Sequence, residues 1–169
     1  MPSVLHKRSS TPGAVPGSGA LTPGELALNT ADGKLFTKKD SGAVVEIGAP
    51  VFLRGATFVN PNGLTLPINA VPVLIPVASV IRRVTLLTQG GPGSAVLDLR
   101  KISYSGYPPG PGDSICAGAK PTLSNAGTAQ DAILPGWTTT LAANDILLIA
   151  VESVANFTLL TLSLEMESV

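Results

Sequence analysis

Charge is scarce in this chain. Asp, Glu, Lys and Arg make up 13% of its 169 residues, about half the usual share of roughly 25%. Eleven bases balance eleven acids, which leaves no net field to attract nucleic acid or an anionic membrane. So little charge is uncommon on the surface of a free monomer. It points to a chain that buries much of itself against copies or partners. Cysteine occurs once, at Cys116, which rules out an intrachain disulfide and with it a disulfide-framed scaffold. Apolar runs are short. The longest, ILLIAV at 146–151, is far below the roughly 20 residues a membrane helix needs. The basic start MPSVLHKRSSTPG is followed by no apolar stretch, so neither a signal peptide nor membrane insertion is expected, and synthesis is expected in the cytosol.

Chemistry-bearing groups are equally sparse. His6 is the one histidine and falls in a Pro/Gly-rich stretch, so a Ser-His-Asp or Cys-His site would depend on a tail residue. Cys116 in GDSICAGA reads as a small buried side chain, and Ser114 beside it lacks the G-x-S-x-G context. Asp98, Asp113, Asp131, Asp145 and Glu152 are scattered rather than paired as glycoside chemistry requires. Gly90, Gly91 and Gly93 precede no lysine, so they form no phosphate loop. Metal-ligand spacings do not occur. The expectation is a non-enzyme with no catalytic residues, metal or cofactor. The basic doublets Arg82-Arg83 and Arg100-Lys101 read as a solvated sheet face or as a contact with an acidic partner. By strict alternation each doublet would send one residue to either face.

What is present is punctuation and short apolar strands. Residues 1–24 (SSTPGAVPGSGALTPG and flanks) are rich in Pro, Gly, Ser and Thr and read as an extended arm without a core. The arm is either a disordered tail or a segment that orders on a partner. Residues 25–48 read as a three-strand meander, ELALNT, KLFTKKD and AVVEIG, turning at Asp32-Gly33 and at Asp40-Ser41-Gly42. That unit is too small to stand alone. Residues 49–78 read as a Pro-rich connector with edge strands and a turn at Pro61-Asn62-Gly63.

Residues 79–169 carry the strongest strand signals. SVIRRVTLLTQ and SAVLDLRKIS, joined by GGPG, read as a hairpin. DILLIAVES and FTLLTLSLEM, joined by VAN, read as another. Leu160, Leu162, Leu164 and Met166 share one face by the period of two. Short helices are expected near 113–118 and 128–134. The fold class is all-β: an antiparallel sandwich, jelly-roll-like rather than a closed barrel. Tyr104, Tyr107 and Trp137 are the candidate ligand contacts, with Trp137 read first as a cap on the core edge.

The segment KRSSTPGAVP…LTPGELALNTADGKLFTKKDSGAVVEI resembles an N-terminal segment of bacteriophage tail-fibre, head-fibre and related virion proteins. There, a basic Ser/Thr/Pro/Gly leader precedes a G-E-[LI]-A-x-N-x-x-D-G-[KR]-[LIV]-[YF]-x-K core. The matching positions are Gly24, Glu25, Leu26, Ala27, Asn29, Asp32, Gly33, Lys34, Leu35, Phe36 and Lys38, within about 7–47. The C-terminal GDSI…KPTLS…LPGWTTTLAANDILLIAVES pattern is similar to β-sandwich units of such appendages. The resemblance implies a virion structural protein, homotrimeric, anchored to phage capsid or tail proteins through its N-terminal segment. Glu25, Leu26, Asn29, Asp32, Gly33, Leu35 and Phe36 would serve docking or trimer formation. Without a coiled coil or long shaft in the sequence, a compact decoration, head fibre, short tail fibre or adaptor is expected. The alternative is a module binding host-surface glycan through the sandwich.

Overall fold

In the computed structural model, residues 6–48 and 50–169 are described. The chain forms two compact units, divided at Ala49/Pro50.

The N-terminal unit is one four-strand sheet. Its strands are β1 (Lys7–Ser9), β2 (Leu26–Asn29), β3 (Lys34–Lys38) and β4 (Val44–Glu46), adjacent in that order. β2 to β4 form the antiparallel meander that the turn residues call for. β1 lies parallel to β2, with Lys7 beside Ala27 and Ser9 beside Asn29. The described part of the arm, residues 6–24, therefore belongs to the unit, and the expectation that the arm contributes no core is corrected. Leu21 of the arm is buried with Ala27 and Phe36, and Val44 packs against them. Proline and glycine let the arm leave the ladder and return, so its composition concealed Leu21, the apolar residue that anchors it among the described residues. Thr30 to Gly33 connect β2 and β3, and only Gly33 takes a positive φ there, +69°.

The C-terminal unit is an antiparallel sandwich, as its short alternating strands predict. Its strands are β5 (Val51–Val59), β6 (Val71–Leu74), β7 (Ser79–Gln89), β8 (Gly93–Ser103), β9 (Thr122–Ala126), β10 (Thr128–Asp131), β11 (Thr140–Leu141), β12 (Asp145–Ala155) and β13 (Leu159–Ser168). One sheet runs β10-β7-β13-β5, with β11 also on β7, and the other runs β6-β12-β8-β9. The core lies between them. β13 contributes Leu160, Leu162, Leu164 and Met166, and β8 and β12 oppose them with Leu97, Leu99, Leu147 and Ile149, all fully buried.

Both expected long hairpins are corrected. β7 pairs with β13 and β8 pairs with β12, so each short link crosses from one sheet to the other. Gly90 (φ +111°) and Gly91 (φ +105°) make the first crossing, and Asn156 (φ +68°) lies in the second. Alternation fixes which face of a strand is buried but not which strand lies beside it. The expected helices are corrected too. Thr128–Asp131 is strand β10 on the edge of β7, where tertiary pairing overrides weak local preference. The helical turns are 3-10 turns at Tyr104–Gly106 and Pro111–Asp113.

One irregularity matters for charge. The β13–β7 register shifts between Glu165 and Met166, and Arg82 and Arg83 both reach acids on β13. Arg82 lies 2.7 Å from Glu167 and Arg83 3.3 Å from Glu165. The bulge thus overrides the expected split of that doublet between faces.

The central strands set the stability of this unit. Leu162→Ala, at a fully buried site flanked by β5 and β7, is expected to cost about 2–5 kcal/mol through lost burial and a residual cavity, measured by denaturant unfolding.

Candidate functional site

The resemblance-derived residues of the N-terminal unit separate by face. Ala27, Asn29 and Phe36 point to the side where the arm packs and are buried there. Asn29, 1% exposed, ties three segments together. Its Nδ2 donates to the carbonyls of Thr11 and Ala14, both at 3.0 Å, and to the Asp32 carboxylate at 2.8 Å. Its Oδ1 accepts from the Ala31 N–H at 2.9 Å. Asp32 also accepts from the Gly13 N–H at 2.7 Å. A short amide side chain can satisfy both a carbonyl and an N–H, and here it replaces ladder bonds where the arm leaves the sheet.

Glu25 clamps the other end of the arm. Its carboxylate accepts from the Thr22 N–H at 2.8 Å and pairs with Lys7 at 3.1 Å. Lys7 also donates to the Ala20 carbonyl. The Thr22 N–H bond, followed by the Lys7 contact, lowers the Glu25 pKa below its ordinary 4.5. Glu25, Asn29 and Asp32 are therefore engaged within the unit, holding arm to meander.

Leu26 and Leu35 lie on the opposite face. Leu28 sits across from Leu35, and Leu26 and Val45 flank Thr37 on either side. The Ile47 N–H bonds the Leu35 carbonyl at 2.7 Å. Leu28 is 38% and Ile47 44% exposed. This apolar sheet face is the candidate docking surface. Sequence reading named Leu26 and Leu35 but missed Leu28, Val45 and Ile47, although their spacing of two on β2 and past β4 carried the signal.

In the sandwich, Tyr104 and Tyr107 come together and Trp137 does not join them. The tyrosines, 71% and 49% exposed, border an open cleft of about 580 Å³ floored by Pro72, Leu74 and Ile146. Ser103, Ser105, Asn144 and Asp145 line the adjoining groove past Tyr104 and Leu74. Trp137 packs on the core and donates its indole N–H to the Ala119 carbonyl at 2.8 Å. It is the cap of a core edge, and it borders a different depression with Lys120 and Gln130.

The other basic doublet is neutralised as well. Asp98, fully buried, accepts from Arg100 Nε at 2.8 Å and Ser114 Oγ at 2.6 Å. Lys120 bonds Glu152 at 2.6 Å, which raises the lysine's pKa. Lys101 lies 3.7 Å from Asp145. These contacts pin the loop after β8 onto its sheet. Burial pushes the Cys116 thiol up to about 11, as expected for a small core side chain. Among the described residues, no three metal-ligating side chains cluster, and no helix is long and apolar enough to cross a membrane.

Two curated proteins are similar to part of this chain. The long tail fiber protein Gp37 of Enterobacteria phage T2 is 46% identical over 44 residues, 26% of this chain and 3% of that protein. The long tail fiber protein Gp37 of Escherichia phage AR1 is 42% identical over 54 residues, 32% of this chain and 5% of that protein. The chain is phage tail-fibre-like over such a stretch. It corresponds to only a small fraction of either fibre's length. No family model matches the chain, and no solved structure does.

The Glu25 clamp gives a pH prediction. A carboxylate whose folded pKa is depressed stabilises the fold above its unfolded value and loses that contribution as pH falls through the folded value. Arm docking is therefore expected to loosen as pH drops below about 4.5, seen as a falling protection factor of the Thr22 amide, its exchange rate taken relative to that of an unfolded chain at the same pH. Glu25→Gln should lower that protection at neutral pH and remove its dependence on pH.

Proposed function

We propose that the chain is a structural part of a phage virion: a compact homotrimeric appendage, with no catalytic role, that docks on a capsid or tail protein through its N-terminal unit. A capsid decoration, head fibre, short tail fibre or adaptor would each fit. The observation that carries this reading is the division of the tail-fibre-like segment into two faces. Its polar residues are consumed in folding the arm, and its apolar face leaves Leu28 and Ile47 exposed beside the half-buried Leu26, Leu35 and Val45. A unit with so few buried residues of its own gains most from covering that face. Three copies meeting there would bury it, and three linked attachments would multiply weak contacts with the virion. The sandwich strand order, read as a jelly roll whose strands divide between a five-strand and a four-strand layer, suits an exposed module. Light scattering of the full chain is expected to give a mass that is a multiple of three, with co-sedimentation on phage particles. Leu28→Asp with Leu35→Asp should abolish both while thermal unfolding of the sandwich is kept. A doubly substituted protein that still assembles and sediments would overturn the reading.

A second reading is favoured by the paired tyrosines. Two exposed phenol rings over an apolar floor, with hydroxyl, amide and carboxyl groups in the adjoining groove, match what a pyranose needs for stacking and hydrogen bonding. The sandwich would then recognise a host-surface glycan. Binding to host polysaccharide is expected to fall at least about tenfold, the loss of roughly 1.4 kcal/mol, when Tyr104 and Tyr107 are both changed to Ala. Unchanged binding, or none by the parent protein, would remove this role.

A further inference from the structure

The edges of the sandwich are unequally protected. β6 has four residues and contains Pro72, β10 has four, and β9 has five with a shifted register against β8. β5 is the exception. It has nine residues, VFLRGATFV, with no proline and a single charge, Arg54, half-buried over the Phe52 ring, and among the described residues its one ladder neighbour is β13. Long, largely apolar edges are what soluble monomers avoid.

The β13 ladder fixes which backbone groups of β5 are free. The Asn60 N–H donates to the Thr158 carbonyl at 2.9 Å at one end, and the Ser168 N–H donates to the Pro50 carbonyl at 3.2 Å at the other. The register between them is unbroken. Phe52, Arg54, Ala56 and Phe58 therefore exchange bonds with β13, and Val51, Leu53, Gly55, Thr57 and Val59 turn their N–H and C=O outward. All five are exposed, with Val51, Leu53 and Val59 at 61%, 64% and 62%.

The two ends of the strand match about Gly55: Val51 mirrors Val59 and Phe52 mirrors Phe58, while Leu53 stands against Thr57 and Arg54 against Ala56. We propose that β5 is a twofold interface at which a second copy of this chain pairs its own β5 antiparallel, Gly55 facing the partner's Gly55. Val51 then faces the partner's Val59, and Leu53 faces the partner's Thr57. Every residue in these pairs is one whose backbone groups are free. A one-residue slip would set free groups against bonded ones, and larger slips would leave strand ends unpaired. In this register the strand's one charge, Arg54, falls beside the partner's Ala56 and not beside a second arginine. Gly55 is demanded by its own ladder, since a Cβ there would overlap the Leu162 carbonyl oxygen. The same glycine leaves the axis free of side chains where the two backbones meet.

A nine-residue strand is about 30 Å long, and edge pairing alone buries less than the roughly 1,200 Å² of a standard interface. The pairing is therefore concentration-dependent and is strengthened when other contacts gather copies. It does not depend on the threefold reading above, because a twofold axis yields two copies alone or six when combined with a trimer.

Sedimentation of the full chain over a range of concentrations tests it. Particles of two or six copies are expected at the upper end, and particles of only one or three copies would overturn the proposal. Val51→Lys with Val59→Lys sets lysine against lysine at both ends, and self-association should weaken at least about tenfold. Val51→Lys with Val59→Glu sets lysine against glutamate and should restore it. Both positions are exposed, so unfolding midpoints should stay near that of the parent. Failure of the first pair to weaken association, or of the second to restore it, would equally overturn the proposal.

Discussion

Every backbone N–H and C=O taken out of water must find a partner, and the wiring of this chain follows from that requirement. In the N-terminal unit the meander alone would leave the outer side of β2 open. β1 fills it, and where the arm departs from the ladder the Asn29 amide and the Asp32 carboxylate take over the carbonyls and N–H the strand no longer reaches. In the sandwich the same demand gives β12 and β8 neighbours on both sides and leaves only outer strands with unpaired groups. Most of those strands are short or interrupted. β5 is neither, so its outward groups are met by water until another strand covers them.

Local features were legible in the sequence, and non-local ones were not. The inward row of Leu160, Leu162, Leu164 and Met166 is a period-two property of one strand, and it stands as read. The partner of that strand is not a local property. Four long strands with equivalent patterns can pair as two hairpins or exchange neighbours across the sandwich, and links as short as 90–92 permit either. The crossing depends on Gly90 and Gly91 adopting positive φ, which their presence allows but does not require. A bulge is equally invisible, so both arginines of Arg82-Arg83 facing acids could not be anticipated from alternation.

The candidate sites show the same division. Glu25, Asn29 and Asp32 stand out because polar side chains at those positions do something specific, and what they do is bind the arm. Leu26 and Leu35 belong to an apolar face whose other members look unremarkable in sequence. Their spacing of two marks a shared face on each strand, and register joins these into one surface by placing Leu28 opposite Leu35 and Leu26 and Val45 beside Thr37. Tyr104 and Tyr107 are separated from Trp137 by their packing. The indole fills a core edge and satisfies its N–H internally, while the phenols remain in the open.

The scarce charges are placed in a way that favours assembly. Lys7 with Glu25, Lys34 with Glu46, Arg82 with Glu167, Arg83 with Glu165, Arg100 with Asp98 and Lys120 with Glu152 all pair within their own unit. Apart from Arg100 with the buried Asp98, such partly exposed pairs add little stability, about 0–1 kcal/mol each. Their larger consequence is cancellation, because a base held against an acid no longer repels an approaching copy. The apolar face of the N-terminal sheet and the β5 edge carry almost none of these charges. At both proposed interfaces a second copy would thus meet little electrostatic resistance, which is the condition a repeated structural part has to meet.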